Sequence, residues 1–174
     1  IWQAAPEAVA AGVSGSNGDA PALSGPWRLL LLGDGSPTRH LQSLTGLEVE
    51  VEVIAMEADT DSCHEAPAEV AELDQPLLRR QVWLRCGGYT LAWAESWWNQ
   101  QQADVYLQQR EQPIWRSLTS HRAELFREVD GLALVDAPWL EERFRLDARP
   151  QGRLVTGHSS GGWSSLWLQV RYPD

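Results

Sequence analysis

Leu47-Glu48-Val49-Glu50-Val51-Glu52-Val53 alternates an apolar residue with a glutamate from end to end. A period of two is that of a β-strand, with the leucine and valines on one face and the glutamates on the other. A strand with one apolar and one carboxylate face belongs to a sheet covered on a single side, and such sheets are antiparallel. Toward the N-terminus, Ser36-Pro37 reads as an N-cap followed by a first-turn proline. That pair opens a short helix through Leu44, which Gly46 stops. Residues 1–25 are rich in Ala, Gly, Ser and Pro and read as a loosely ordered lead-in, with a short helix around Pro6–Ala11. The domain proper is expected over residues 26–174, beginning at Pro26-Trp27.

Toward the C-terminus, residues 57–76 are acidic and read as a surface loop. Leu77 to Leu84 and Tyr89 to Trp97 read as two strands joined by a Cys86-Gly87-Gly88 hairpin. Gln100 to Gln109 is a polar helix, and Leu118 to Val129 an amphipathic one, with Leu118, Leu125 and Val129 near helical spacing. Arg153–Thr156 and Trp163–Arg171 flank a Ser159-Ser160-Gly161-Gly162 turn as a second hairpin. Strands and helices that do not strictly alternate predict an α+β fold.

The 174 residues carry 14 cations, all arginine, against 24 acids, a net charge of −10. Without lysine there is no Schiff-base, P-loop or general-base lysine. The acidic balance argues against nucleic acid or an anionic membrane as partner. An anionic small molecule stays open, because a few arginines gathered in one pocket override net charge locally. The longest apolar run is Leu29 to Leu32, far short of the ~18 residues of a membrane span. No basic-then-apolar leader is visible, so the expected compartment is the cytoplasm. Cys63 and Cys86 read as reduced cysteines, with a bridge between them left open.

Gly157-His158-Ser159-Ser160-Gly161 fits G-x-S-x-G, but a nucleophile elbow needs a helix after it and a histidine further on. Here a strand-like segment follows and no later histidine exists, so the match reads as a hairpin turn. His40, His64, His121, His158, Cys63 and Cys86 show neither C-x-x-C nor H-x-x-x-H spacing, and no metal is expected. Among the 10 tryptophans, Trp93, Trp97, Trp98, Trp163 and Trp167 fall on predicted strands and read as core and rim. A nucleic-acid platform would interleave cations, whereas Glu95 stands between these rings. Arg79 and Arg80 open a strand whose later residues are core types. An arginine there either caps the sheet edge or grips a carboxylate in a pocket.

Four blocks, in order, resemble the chorismate lyase (4-hydroxybenzoate synthase) family, most closely its cyanobacterial-type branch. They are Leu30 to Arg39; Leu78-Arg79-Arg80-Gln81-Val82-Trp83-Leu84 through Trp98; Pro113-Ile114-Trp115 with Arg122 to Glu128; and Leu140 to Phe144, followed by Gly152-Arg153 running to Pro173. The resemblance implies one antiparallel sheet whose helices and flap loops enclose a buried ligand. It also implies conversion of chorismate to 4-hydroxybenzoate and pyruvate for plastoquinone or ubiquinone synthesis, with no metal or organic cofactor. Matched without gaps, the family's carboxylate-binding arginine falls at Arg79, and its backbone amide contacts fall at Pro37 and Ile114. Proline has no N–H, so Thr38 would replace that donor. The family's acidic residue facing the ring oxygen falls at Gln169, which can hydrogen-bond but carries no charge, so either Glu95 or a one-residue shift in the last strand would have to compensate. The alternative function is aromatic-acid binding without catalysis, as in the effector-binding domains of bacterial transcription regulators that share this fold.

Overall fold

The structure is a computed structural model that describes residues 3–4, 23–59, 67–136, 151–160 and 162–169. These form strands β1 (Gln3–Ala4), β2 (Glu50–Asp59), β3 (Leu77–Cys86), β4 (Tyr89–Asn99), β5 (Arg127–Asp136), β6 (Gln151–Ser159) and β7 (Gly162–Gln169). Between them lie helices α1 (Gly25–Leu32), α2 (Pro37–Thr45), α3 (Gln100–Tyr106) and α4 (Ile114–Ser120), and a 3-10 turn over Ala68–Glu72. The seven strands make one sheet in the order β1-β5-β6-β7-β4-β3-β2. Every pairing is antiparallel, so the expected α+β architecture with a single antiparallel sheet is present.

Local chemistry accounts for the joints. Gly87 and Gly88 both take positive φ, 54° and 85°, as a two-residue turn matched to strand twist requires. Pro37 opens α2 behind Ser36, and Gly46 closes it in the left-handed region at φ 70°. Period two then sorts the sheet into faces. On one, Trp27, Leu30 and Leu31 of α1 and Leu41 of α2 cover Val51, Val82, Leu84, Ala92, Val155 and Leu166. On the other, Val70 of the 3-10 turn packs with Leu77, Trp97 and Trp163. Trp98 and Leu78, back on the first face, are covered by Ala103 of α3 and by Leu107. The tryptophan reading as core thus holds for Trp97, Trp98 and Trp163, all buried.

Four expectations are corrected. The Val49–Val53 strand starts at Glu50 and runs on to Asp59, across a bulge between Val53 and Ala55, while Leu47 is half exposed. Part of the supposed acidic loop is therefore strand, and part is the 3-10 turn that buries Val70. The helix expected over 118–129 is absent. α4 ends at Ser120, where Arg122 at φ 56° and the Ala123 N–H to Leu118 O bond close it. Arg127 already belongs to β5, because a ladder with β6 from Arg127 to Asp136 outweighs a marginal local helical pattern. Finally, Gln3 and Ala4 of the supposed lead-in pair with Ala133 and Leu132 of β5. The helix expected at Pro6–Ala11 lies outside the described residues.

Candidate functional site

A cavity of about 130 Å³ opens on the α1–α2 face of the sheet. An apolar cavity of about 150 Å³ is enough to take up benzene, so this space is on the scale of one aromatic ring. Its walls include Val82, Leu166 and Trp115, and the first turns of α2 (Pro37, Thr38) and α4 (Ile114) meet over it. In a helix's first turn the N–H groups have no intrahelical acceptor, so Thr38 and Ile114 bring free donors and Pro37 brings none.

The polar floor is one row across three strands. Arg80 of β3 stands opposite Ser96 of β4, which stands opposite Ser164 of β7, and all three line the cavity. Arg80 is 4% exposed. Its Nη2 donates to the carbonyls of Arg110 at 2.7 Å and, more weakly, Gln112 at 3.4 Å. Its Nε is buried without a partner, as is the Ser96 hydroxyl. Burial pulls the Arg80 pKa down to about 10, which still leaves a cation at neutral pH. Ser160, beside the β6–β7 hairpin, is engaged: its Oγ accepts the Phe126 N–H at 2.8 Å. Gly157, His158 and Ser159 of the G-x-S-x-G stretch end β6 and pair with Ser164, Trp163 and Gly162 of β7.

A second arginine lines the cavity from the start of β5. Arg127 Nη1 donates to the carbonyls of Leu30 at 3.1 Å and Gly33 at 3.4 Å, capping the end of α1. Burial lowers its pKa to about 10 as well. Nearby, His40 on α2 has its pKa lowered by burial first, then by the charges of Arg127 and Arg39, against the opposing pull of Asp34. A histidine with a folded-state pKa below its unfolded value takes up protons more readily when unfolded. Its contribution to stability is full above the unfolded pKa near 6.5 and is lost as pH falls through the window below it. The urea midpoint is therefore expected to drop between pH 7.5 and 5.5. His40→Gln should flatten that slope, by no more than the ~1.4 kcal/mol per pH unit that one proton allows.

The sequence expectation gave the carboxylate grip to Arg79. The structure turns Arg79 to the opposite face, where its Nε donates to Glu95 Oε1 at 2.5 Å and its guanidinium lies 5.4 Å from the Trp97 ring centroid. Gln81 Nε2 holds the same Glu95 oxygen at 2.9 Å, and Glu95 also lines the cavity but with its carboxylate engaged by Arg79 and Gln81. Arg80 is the arginine that reaches the cavity, and the sequence held the signal: it shares parity with the core residues Val82 and Leu84. Pro37, Thr38 and Ile114 all line the cavity. Gln169 ends β7 opposite Gly152, and its side chain lies outside the described residues, as do Cys63 and His64. Ser96, Arg127 and Trp115 were not anticipated as site residues. The cross-strand register brings in Ser96, the start of β5 brings in Arg127, and the first turn of α4 brings in Trp115.

Residues 31–156 match the family described as Rv2949c-like chorismate pyruvate-lyase, well over half of the chain. The protein belongs to that family. Two relatives of this Rv2949c-like protein are each called "Uncharacterized protein ycf21". The one from Cyanophora paradoxa is 27% identical over 123 residues, 68% of this chain and 62% of that protein. The one from Pyropia yezoensis is 27% identical over 148 residues, 84% of this chain and 80% of that protein. The chain thus spans just under two thirds of the length of the first. Among solved structures, the effector domain of PhnF from Mycobacterium smegmatis superposes with a TM-score of 0.57 at 17% identity, covering 79% of this chain and 90% of that one. The possible transcriptional regulator YydK from Bacillus subtilis gives 0.58 at 15% identity, covering 74% and 61%. At these identities the Rv2949c-like chain shares their fold, a chorismate lyase-like sheet. Among the described residues, no helix is long and apolar enough to cross a membrane.

Proposed function

We propose that this protein is a chorismate lyase of the cyanobacterial-type branch, acting in the cytoplasm to release 4-hydroxybenzoate and pyruvate for quinone synthesis. One observation carries the reading. Two buried donors without partners, Arg80 Nε and Ser96 Oγ, stand side by side on the floor of a ring-sized cavity. Buried donors are rarely left unpaired, and this pair matches the two oxygens of a ring carboxylate. The amides of Thr38 and Ile114 close the same subsite, and Pro37 packs on the ring. Gln169 is the proposed partner of the 4-oxygen, and Arg79 engages the Glu95 carboxylate.

In the elimination, the bond from ring C3 to the enolpyruvyl oxygen breaks. The C4 hydrogen leaves as a proton, and its electron pair completes the aromatic ring. The enolpyruvyl methylene carbon takes up a proton, so the departing group leaves as pyruvate and the atoms balance. The protein's part is to hold the ring and neutralise its charges, which is positioning and electrostatics. Purified protein mixed with chorismate is expected to yield 4-hydroxybenzoate and pyruvate in equal amounts above the uncatalysed rate, read by chromatography.

A second reading is supported by the PhnF-like fold and by the engagement of Glu95, the acidic residue among the described lining of the cavity, by Arg79 and Gln81. It is an aromatic-acid binding domain without catalysis. No turnover, together with tight 4-hydroxybenzoate binding seen by quenching of Trp115 and its neighbours, would establish that reading in place of the lyase.

A further inference from the structure

Among the described side chains that line the cavity, three carry a buried donor without a partner. Arg80 Nε and Ser96 Oγ belong to the floor, and the third is the indole N–H of Trp115, in the first turn of α4. Trp97, Trp98 and Trp163 also hold buried, unpartnered N–H groups, but they sit in core clusters and do not line the cavity. A buried indole N–H ordinarily finds an acceptor. The Trp115 ring is held from outside by two cations. Arg39 of α2 lies 5.3 Å from a ring centroid of Trp115, and Arg116 of α4 lies 5.4 Å from one. Neither arginine lines the cavity, and Arg116 is anchored in turn by Glu48. A cation over an indole is attracted to its π electrons, so the two guanidiniums fix the ring and draw electron density away from its N–H. Trp115 directly follows Ile114, whose amide is assigned to the ring carboxylate. Of the oxygens a ring ligand carries, the nearer acceptor is therefore one meta to that carboxylate, since the 4-oxygen is at the opposite end of the ring.

We propose that Trp115 is a specificity residue of this site: its N–H donates to an uncharged ether or hydroxyl oxygen carried meta to the ligand's ring carboxylate, and Arg39 and Arg116 act through it as positioning residues. This rests on the lyase reading for its natural ligand, since the oxygen meta to the ring carboxylate of chorismate is the one that leaves with the enolpyruvyl group. When the C3–O bond breaks, its electron pair stays on that oxygen, and the Trp115 hydrogen bond stabilises the charge without giving up its proton. The methylene carbon takes up a proton as the enolate becomes pyruvate. The product, 4-hydroxybenzoate, has no meta oxygen, so this contact is lost with the arm.

Two inert probes of nearly equal shape test this without turnover. One is 3-methoxybenzoate, with an oxygen at the meta position, and the other is 3-ethylbenzoate, with a methylene in its place. Calorimetric titration gives the ratio of their affinities, and comparing that ratio between variants cancels the packing and desolvation of the probes. Trp115→Phe keeps a ring and removes the N–H. It is expected to lower the methoxy-over-ethyl ratio by about 3-fold or more, the scale of one neutral hydrogen bond, with 3-ethylbenzoate affinity changed by less than about 2-fold. Arg39→Met should lower the same ratio by about 2-fold, and Arg39→Lys, which restores a cation over the ring, should return it to the wild-type value. A smaller fall in Trp115→Phe, including a loss shared equally by both probes, would overturn the proposal, and so would a wild-type protein that binds neither. Arg39 is exposed and outside the cavity lining, so its two variants decide the outcome if thermal melts show that Trp115→Phe is unfolded. An unchanged ratio in Arg39→Met, or no recovery in Arg39→Lys, then overturns it. The lyase reading fails by a different result, the absence of 4-hydroxybenzoate and pyruvate from chorismate. The two failures are therefore separable.

Discussion

Arg80→Met is expected to abolish turnover of chorismate and to weaken 4-hydroxybenzoate binding by about two to three orders of magnitude, while the protein stays folded. The expectation follows from what the side chain does. Its Nη2 is spent on the Arg110 and Gln112 carbonyls, and its buried Nε, on a side chain that lines the cavity, has no partner among the described residues. Removing one side of a buried charged hydrogen bond costs about 2–5 kcal/mol, hence the predicted loss in affinity. The fold should survive, because a methionine fills much of the same volume and a buried cation is itself a burden on stability. Calorimetric ligand titration and thermal melts, run together, check both halves. Ser96→Ala should fall between wild type and Arg80→Met, since a neutral hydroxyl contributes about 1 kcal/mol. Arg79→Met should leave ligand affinity nearly intact and show its effect in the melt, because Arg79 does not line the cavity and its Nε is held by Glu95. An Arg80→Met protein that binds 4-hydroxybenzoate as the wild type does would remove the carboxylate subsite from this floor.

Gly157→Ala is the substitution expected to damage the fold most. Gly157 continues the row of Arg80, Ser96 and Ser164 onto β6, where it stands opposite Ser164 on one side and Val129 on the other. A Cβ added there would lie 1.9 Å from the Glu128 carbonyl oxygen, a backbone atom that cannot rotate away. The pairing steps from Val129 to Gly131 at that point, so Asp130 is bulged out and its carboxylate meets His158 Nδ1 at 2.9 Å. Even a methyl group must therefore push β5 off β6 and disturb that bulge. A loss of about 3 kcal/mol or more is expected, which for a domain of this size lowers Tm by roughly 6–12 °C. Gly25→Ala is the control: open space surrounds it at the start of α1, and the change should be neutral or slightly stabilising. Differential scanning calorimetry of the two variants separates backbone crowding from a general intolerance of alanine.

Much of the scaffold was legible because its signals are local. Pro37 and Gly46 bracket α2 through φ preferences that need no distant partner. Gly87-Gly88 set the β3–β4 turn by the same logic, and alternation at Val49 and Val51 marked a buried strand face. The segment from Leu118 to Val129 misled for the opposite reason. Its apolar spacing suits a short helix, but short helices are marginal alone, and the ladder from Arg127 to Asp136 with β6 is a long-range contact that local spacing does not carry. The site was half legible. Pro37, Thr38 and Ile114 reach the cavity because helix starts are local features. The arginine that lines the cavity stands one residue from the one expected to grip a carboxylate, because neighbours on a strand point to opposite faces.

By itself, then, the sequence determined the α+β class, the hairpins, the helix that opens at Pro37, and membership of a family with a chorismate lyase-like fold. These rest on periodicity, turn chemistry and block order, all carried along the chain. The tertiary structure alone decided which of two adjacent arginines faces the cavity and that the Glu95 carboxylate is engaged by Arg79 and Gln81. It also brought Ser96 and Arg127, far apart in the chain, to one ring-sized space. Those are questions of register and of which face the helices cover, and they are answered only when strands distant in sequence lie side by side.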